Sequence, residues 1–187
     1  LIEKLINHIY KNFAVLPNPE ISLEANPNTR HNQLFSDLRA AGINRLSLGV
    51  QSFDDNELKF LGRTHNAKQA LESIEDVLHN FENHSIDLIY ALPGQTSEKW
   101  QKSLEYVTNF GLKHLSFYQL TIEDGTIFQK KNITPLPEEE SSRIYLLTED
   151  FLRSKDYLKY EVSNFSQKGL GSSFSSFLGC SPPVIFF

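Results

Sequence analysis

Four polar side chains that could bind a ligand lie within about sixty residues of one another, and each follows or interrupts an apolar segment. They are Glu24, Gln51, Arg63 and Asp87. A guanidinium can hold a carboxylate through two parallel hydrogen bonds, and a primary amide can donate and accept at once. A carboxylate beside an apolar segment needs a partner, because burying an unpaired charge is costly. Together the four side chains predict one polar pocket.

Each of these residues also has a purely structural interpretation. Glu24 could pair with an arginine or cap the turn that follows it, and Gln51 could be a core glutamine bonded to the backbone. Arg63 could lie on the surface, and Asp87 could form a structural salt bridge. Gly49, two positions before Gln51, leaves room for close approach by a ligand or by neighbouring backbone. The convergence of the four residues on one face favours the ligand-binding interpretation.

The periodicity of the chain predicts alternating strands and helices. Strands are predicted at 21–25, 45–50, 85–90 and 114–118. Helices are predicted at 1–13, 31–41, 54–61, 67–81 and 97–110. This alternation is typical of a parallel sheet, and such sheets bind ligands at the carboxyl ends of their strands. Four units are too few to close an eight-stranded barrel, so the predicted fold is α/β, a partial TIM-type barrel.

The chain beyond residue 120 departs from this pattern. A helix with an acidic first turn is predicted from about Pro135 to Ser154, and one more strand at Tyr160–Phe165. These elements would form a small C-terminal α+β extension. From Gly169 to Phe187 the sequence has no charged residue. This tail is therefore predicted not to belong to the same domain.

Composition excludes several classes of partner. The 187 residues carry a net charge of −5 without a cluster of lysines and arginines, which argues against nucleic acid. No apolar run approaches the roughly 18 residues that span a bilayer, so no integral membrane segment is predicted. Charges interrupt the first twenty residues, unlike a signal peptide. The expected location is the cytoplasm.

The single cysteine, Cys180, excludes a disulfide framework and a cluster held by cysteines of this chain alone. The histidines lack the spacing of a metal site, and no nucleophile elbow or phosphate loop occurs, so neither catalytic residues nor metal ligands are predicted. The chain starts at Leu1 and contains no methionine. It is therefore predicted to be a piece of a longer protein.

As a set, six sequence blocks resemble the radical SAM family of oxygen-independent coproporphyrinogen III oxidase and its relatives. The first four are Glu24–Pro27, Asn44–Phe53, Leu61–His65 and Asp87–Gly94. Two later blocks, Leu115–Thr126 and Tyr160–Phe165, look more like the HemW-type haem-chaperone branch than the true oxidase. The resemblance extends from about Leu1 to Gly169.

The resemblance implies a radical SAM barrel of the (β/α)6 type, here a fragment lacking the first strands. Carried over by position, Glu24, Gln51, Arg63 and Asp87 would bind S-adenosylmethionine. The implied organisation is a partial barrel at 1–120, the start of the family's C-terminal region at 121–168 and an aberrant tail at 169–187. The intact parent would also hold a [4Fe-4S] cluster and haem, and it would pass haem to an acceptor protein.

Two of the family's motifs are missing from this sequence. The Cys-x3-Cys-x2-Cys motif that holds the cluster would precede Leu1, and the His-Asn-x-x-Tyr-Trp block linked to haem is not found after Phe165. As given, the chain is therefore expected neither to bind the cluster nor to cleave S-adenosylmethionine. Its parent is predicted to be a haem chaperone. The alternatives are a fragment of a true coproporphyrinogen III oxidase, which decarboxylates propionates, and a non-functional remnant.

Overall fold

The computed structural model describes residues 1–27, 32–168 and 185–186. The helices are α1 (Ile2–Asn12), α2 (Asn32–Ala40), α3 (Asp55–Phe60), α4 (Ala67–Asn80), α5 (Ser97–Thr108), α6 (Ile127–Lys130) and α7 (Glu138–Ser154). The strands are β1 (Ile21–Ala25), β2 (Arg45–Gln51), β3 (Asn83–Tyr90), β4 (His114–Gln119), β5 (Tyr157–Lys159), β6 (Asn164–Gln167) and β7 (Ile185–Phe186). The four predicted strands and five predicted helices of the first 120 residues are all present, with ends that differ by a few residues.

The strands form one open sheet in the order β5-β6-β4-β3-β2-β1-β7. Strands β1 to β4 are parallel, with Glu24 opposite Ser47 and Asp87 opposite Ser116. Strands β6 and β5 continue the sheet in antiparallel orientation beyond β4. The predicted parallel arrangement of the first four strands is confirmed, so their carboxyl ends lie along one edge.

The two faces of the sheet differ in polarity because side chains alternate along each strand. One face, here called the helix face, carries buried apolar side chains: Leu46, Leu48, Ile86, Leu88, Leu115 and Phe117. These residues belong to the main hydrophobic core, together with buried side chains of the helices. The opposite face, here called the polar face, carries Glu24, Ser47, Ser85, Asp87, His114 and Ser116. Ser85, His114 and Ser116 are buried, whereas Glu24 is exposed, so this face is covered in part and polar throughout.

Helix termini are fixed by local sequence. The Asp54 side chain accepts hydrogen bonds from the first turn of α3, and Asn66 forms a capping box with Gln69 at the start of α4. Gly42 follows α2 with a φ of +108°, which a residue with a Cβ rarely adopts. These caps place α3 and α4 directly after the end of β2, where two of the predicted site residues lie.

Two features beyond residue 118 differ from the prediction. The further strand predicted at Tyr160–Phe165 is present as β6, but its predicted start is wrong, because residues 160–163 form the turn between β5 and β6 and the strand begins at Asn164. The backbone N–H of Tyr160 donates to the carbonyl of Asn164, which closes this turn. Helix α6 was not predicted, because it is only one turn long; Phe128 stacks on Phe60 of α3 at 4.9 Å. Residues 169–184 and 187 of the predicted tail lie outside the described residues.

Among the described residues, no helix is both long and apolar enough to cross a membrane. The predicted boundaries at residues 120 and 168 stay a prediction.

Candidate ligand-binding site at the strand ends

Gln51, the last residue of β2, has a left-handed backbone with a φ of +71°. The backbone N–H of Ser52 donates to the carbonyl of Val50 at 2.9 Å, which closes a three-residue turn around Gln51. That bond and that sign of φ belong to the classic γ-turn, which is rare and strained. Such strain in a non-glycine residue is common at functional sites. The turn directs the chain out of the sheet where a ligand pocket was predicted.

Gly49 brings Gln51 and Asn26 together. A Cβ at position 49 would lie 2.7 Å from Gln51 Nε2 and 3.1 Å from Asn26 Oδ1. The absence of a Cβ at position 49 thus leaves room for both amide side chains above the strand. The role expected of Gly49, close approach of a neighbour, is therefore filled by a protein side chain in this structure.

Arg63 reaches the same place from the loop between α3 and α4. Its Nη1 donates to Asn26 Oδ1 at 3.1 Å. Its Nε is buried and has no hydrogen-bond partner among the described residues. Arg63 and Gln51 therefore belong to one patch around Asn26 and Gly49, in which the buried guanidinium Nε is paired with no described residue.

Glu24 and Asp87 form a second group on the polar face. Ser47 lies between them and its hydroxyl donates to both carboxylate oxygens of Asp87 at 3.1 Å. Burial raises the pKa of Asp87, hydrogen bonds from Ser47 and Ser116 oppose that rise, and the negative charge of Glu24 adds to it. Glu24 itself is exposed. The Asp87 carboxylate, with the charge of a second carboxylate nearby, would favour a cationic or hydroxyl-rich ligand between the two.

The structure thus brings the four predicted residues into two pairs at one end of the sheet, and does not join the pairs by a direct hydrogen bond. Sequence reasoning missed three residues that complete the pairs: Asn26, Ser47 and His65. Asn26 and His65 lie inside blocks that drew attention by their neighbours, and Ser47 alternates with Arg45 and Gly49 on β2. Nothing in a single strand indicates that Ser47 faces an aspartate forty residues later.

His65 fixes the loop that carries Arg63. Its buried Nε2 lies 3.1 Å from the carbonyl of Val50, and because a carbonyl only accepts, Nε2 is the donor. The same carbonyl closes the turn around Gln51. Burial lowers the pKa of His65, the hydrogen bond to Val50 opposes this, and the charge of Arg63 adds to it. A neutral imidazole therefore ties the Arg63 loop to the end of β2.

Buried histidines also make stability depend on pH. His84 and His114 are buried, and burial is the main cause that lowers the pKa of each, that of His114 to about 4. Positive charge from Arg45 and Lys113 adds to the shift of His114. Because the folded-state pKa lies below the ordinary 6.5, the native state binds fewer protons than the unfolded chain. Stability from this group is present above pH 6.5 and is lost as the pH falls toward 4.

Replacing His114 by glutamine is expected to flatten this dependence. The loss of unfolding free energy between pH 7 and pH 4.5 should shrink by about 1–2 kcal/mol, allowing for solvent screening. Urea unfolding at several pH values measures the slopes, and His79→Gln, at an exposed histidine, is the matched control. Parallel slopes for the parent and H114Q would contradict the assignment.

The described cavities lie elsewhere. One of about 460 Å³ lies on the outside of α3, α4 and α5, lined in part by Phe53, Lys99 and Tyr106. A second, of about 330 Å³, lies at the start of α5 beside α7. None of the four predicted residues lines either cavity. Within the described ranges, no group of three or more His, Cys, Asp or Glu side chains could hold a metal ion.

Comparison with known proteins identifies the family. The model of the radical SAM superfamily matches residues 1–107. The heme chaperone HemW of Buchnera aphidicola subsp. Acyrthosiphon pisum (strain APS) is 37% identical over 166 residues, which are 89% of this chain and 44% of that protein. The heme chaperone HemW of Lactococcus lactis subsp. lactis (strain IL1403) is 38% identical over 176 residues, 91% of this chain and 46% of that protein. The resemblance inferred from the sequence blocks is confirmed.

A solved structure has the same fold. Coproporphyrinogen III oxidase (HemN) from Escherichia coli, described as a radical SAM enzyme, superposes with a TM-score of 0.83 at 23% identity. The match covers 100% of this chain and 46% of that one. The predicted α/β fold of the radical SAM type is confirmed. The chain spans less than half the length of the curated relatives given above.

Proposed function

Because this chain belongs to the radical SAM superfamily, we propose that its strand-end site holds S-adenosylmethionine. The observation that carries the proposal is the patch formed by Gln51, Asn26 and Arg63 above Gly49. It places the Gln51 amide near a guanidinium whose Nε is paired with no described residue, at the same edge of the sheet as two carboxylates of the polar face. These are the groups that a zwitterionic nucleoside needs.

Arg63 is proposed to bind the carboxylate of the methionine moiety. Its Nη1 already bonds Asn26, and its buried Nε has no partner among the described residues. A guanidinium held by one bond is preoriented, so less side-chain entropy is lost when a second acceptor arrives. Gln51 is proposed to bind a hydroxyl or an adenine edge, because its amide can donate and accept.

Glu24 and Asp87 are proposed to bind the amino group or the ribose hydroxyls. Asp87 already accepts from Ser47, which leaves lone pairs of its carboxylate for the ligand. The exposed Glu24 lies across Ser47 from it. A cationic group between the two carboxylates would relieve the repulsion that helps to raise the pKa of Asp87.

A [4Fe-4S] cluster does not fit the side chains of this chain. Three thiolates are needed, and the sequence contains one cysteine, Cys180, outside the described residues. The cluster is therefore proposed for the intact parent only, where it would supply the electron for radical chemistry.

For the whole protein we propose haem handling in the cytoplasm, with a haem-acceptor protein as partner. Support comes from the curated relatives, whose printed name is heme chaperone and whose identity to this chain is well above that of the solved oxidase. Residues 1–120 would form the radical SAM part, and residues 121–168 the start of the C-terminal region.

Replacing Gly49 by alanine tests the site. The added Cβ would displace the Gln51 amide, the end of a flexible side chain, while φ at position 49 is not left-handed. We expect the free energy of unfolding to change by less than about 1 kcal/mol and the affinity for S-adenosylmethionine to fall at least tenfold, the cost of about one lost polar contact. Isothermal titration calorimetry on the full chain measures the affinity.

Ser103→Ala, on the outer side of α5, is the control and should bind S-adenosylmethionine as the unsubstituted chain does. S-adenosylhomocysteine should compete for the same site and ATP should not. If the unsubstituted chain does not bind S-adenosylmethionine, or if G49A binds it equally well, the proposed site is wrong.

A further inference from the structure

Two strand ends beside the site hold non-glycine residues in left-handed conformations. Gln51 ends β2 with a φ of +71°, and Ala91 follows β3 with a φ of +60°. Residues other than glycine rarely adopt such φ values, because the Cβ then approaches a carbonyl oxygen too closely. The surrounding structure must therefore hold both residues in place.

One carboxylate connects these two positions. Oε2 of Glu57, on α3, accepts from the hydroxyl of Ser52 at 2.5 Å, directly after Gln51. Its Oε1 accepts from Gln95 Nε2 at 3.2 Å. Gln95 Oε1 in turn accepts from the backbone N–H of Ala91 at 2.8 Å. The chain of hydrogen bonds thus runs from the end of β2 through Glu57 to the end of β3.

The chemistry of the link requires a carboxylate. Both donors that reach Glu57 point at oxygens, and an ionised carboxylate is the side chain that accepts at two oxygens and donates at neither. A glutamine of the same shape would oppose one of the two donors with its own NH₂ group. The Ser52 hydroxyl oxygen also accepts from the backbone N–H of Asp54 at 3.0 Å, which fixes the direction of its proton toward Glu57.

We infer that Glu57 is a positioning residue: it holds Gln51 in its strained turn and ties that turn to the end of β3. In the described part of the chain, no hydrogen bond joins its side chain to any of the four predicted ligand-binding residues, and it lines the cavity outside α3, α4 and α5. Its effect on ligand affinity rests on the proposed function, whereas its effect on backbone strain does not.

A double-mutant cycle on the full chain tests the role. In the chain with Glu57 unchanged, Gln51→Gly removes the strain, because glycine adopts a positive φ freely. In Glu57→Gln the turn is free to relax, so the same glycine relieves nothing. The effect of Gln51→Gly on the unfolding equilibrium constant should be more favourable with Glu57 present, by about five- to thirtyfold, the strain of one left-handed residue.

Glu72→Gln, which removes an exposed carboxylate from an ion pair with Lys68 on α4, is the matched control and should show no coupling to Gln51→Gly. Equal effects of Gln51→Gly on stability in the unsubstituted chain and in E57Q would overturn the inference, since a residue that contributes only general stability gives additive changes.

Ligand binding supplies the second measurement. E57Q should bind S-adenosylmethionine about tenfold more weakly, as expected when a residue that supports a ligand-contacting side chain is lost. E72Q should bind it as the unsubstituted chain does. If the Gln51→Gly and Glu57→Gln substitutions are coupled and the unsubstituted chain does not bind S-adenosylmethionine, the positioning role stands and the proposed ligand is wrong. If the unsubstituted chain and E57Q bind S-adenosylmethionine equally well, and E57Q shows no coupling to Gln51→Gly, the positioning role is wrong and the ligand stands.

Discussion

Truncating Trp100 to alanine is expected to destabilise the fold by about 3–5 kcal/mol, the range for removal of a large buried aromatic side chain. Trp100 lies on α5 and is 1% exposed. Its ring packs against Tyr90 of β3 at 5.7 Å and Phe117 of β4 at 5.6 Å between centroids. Its indole N–H donates to Thr148 Oγ1 of α7 at 2.7 Å. One side chain thus joins the sheet and two helices, α5 and α7, that are about thirty residues apart along the chain.

Urea unfolding followed by far-ultraviolet circular dichroism measures this effect, because Trp100 is the only tryptophan and its removal abolishes that fluorescence signal. Trp100→Phe should cost less, about 1–2 kcal/mol, since the Thr148 hydroxyl keeps its own acceptor at the Ile144 carbonyl. Tyr106→Ala on the same helix, at a side chain that is 46% exposed, is the control. A loss below about 1 kcal/mol for W100A would mean that α5 does not pack as described.

Replacing Arg63 by alanine is expected to weaken binding of S-adenosylmethionine by about 2–5 kcal/mol, or roughly 30-fold to several thousandfold. The carboxylate that Arg63 is proposed to bind would be left without its charged partner. Stability should change little, because Arg63 is only half-buried and its side chain makes one hydrogen bond to the described residues, to Asn26. Calorimetric titration of the full chain, with unfolding curves beside it, separates the two effects.

Arg63→Lys should recover only part of the affinity, because an ammonium group keeps the charge but lacks the planar fork that binds both carboxylate oxygens. Arg39→Ala, at an exposed arginine in the last turn of α2, is the matched control for loss of positive charge. If R63A and R39A weaken binding equally, the effect is one of net charge, and Arg63 does not contact the ligand.

The local elements of the first 120 residues could be predicted because their signals are local. Apolar alternation fixed β2 and β3, and side-chain caps such as Asp54 and Asn66 marked the starts of α3 and α4. The same signals misplaced the start of the last predicted strand, which begins at Asn164 and not at Tyr160. Tyrosine, valine and phenylalanine there are typical of a strand, yet residues 160–163 turn between two short strands that pair with each other. That choice depends on tertiary pairing with β4 rather than on residue type.

By itself, the sequence determined the family and the parallel order of four strands, and it indicated four candidate polar residues on those strands or in the loops that follow them, because periodicity and residue type act over a few positions. Only the tertiary structure decided how those residues are grouped. It placed Arg63 against Asn26, Ser47 between Glu24 and Asp87, and Glu57 between the ends of β2 and β3. Each of these contacts joins elements whose relative position is set by packing of the shared core, so no single segment encodes it.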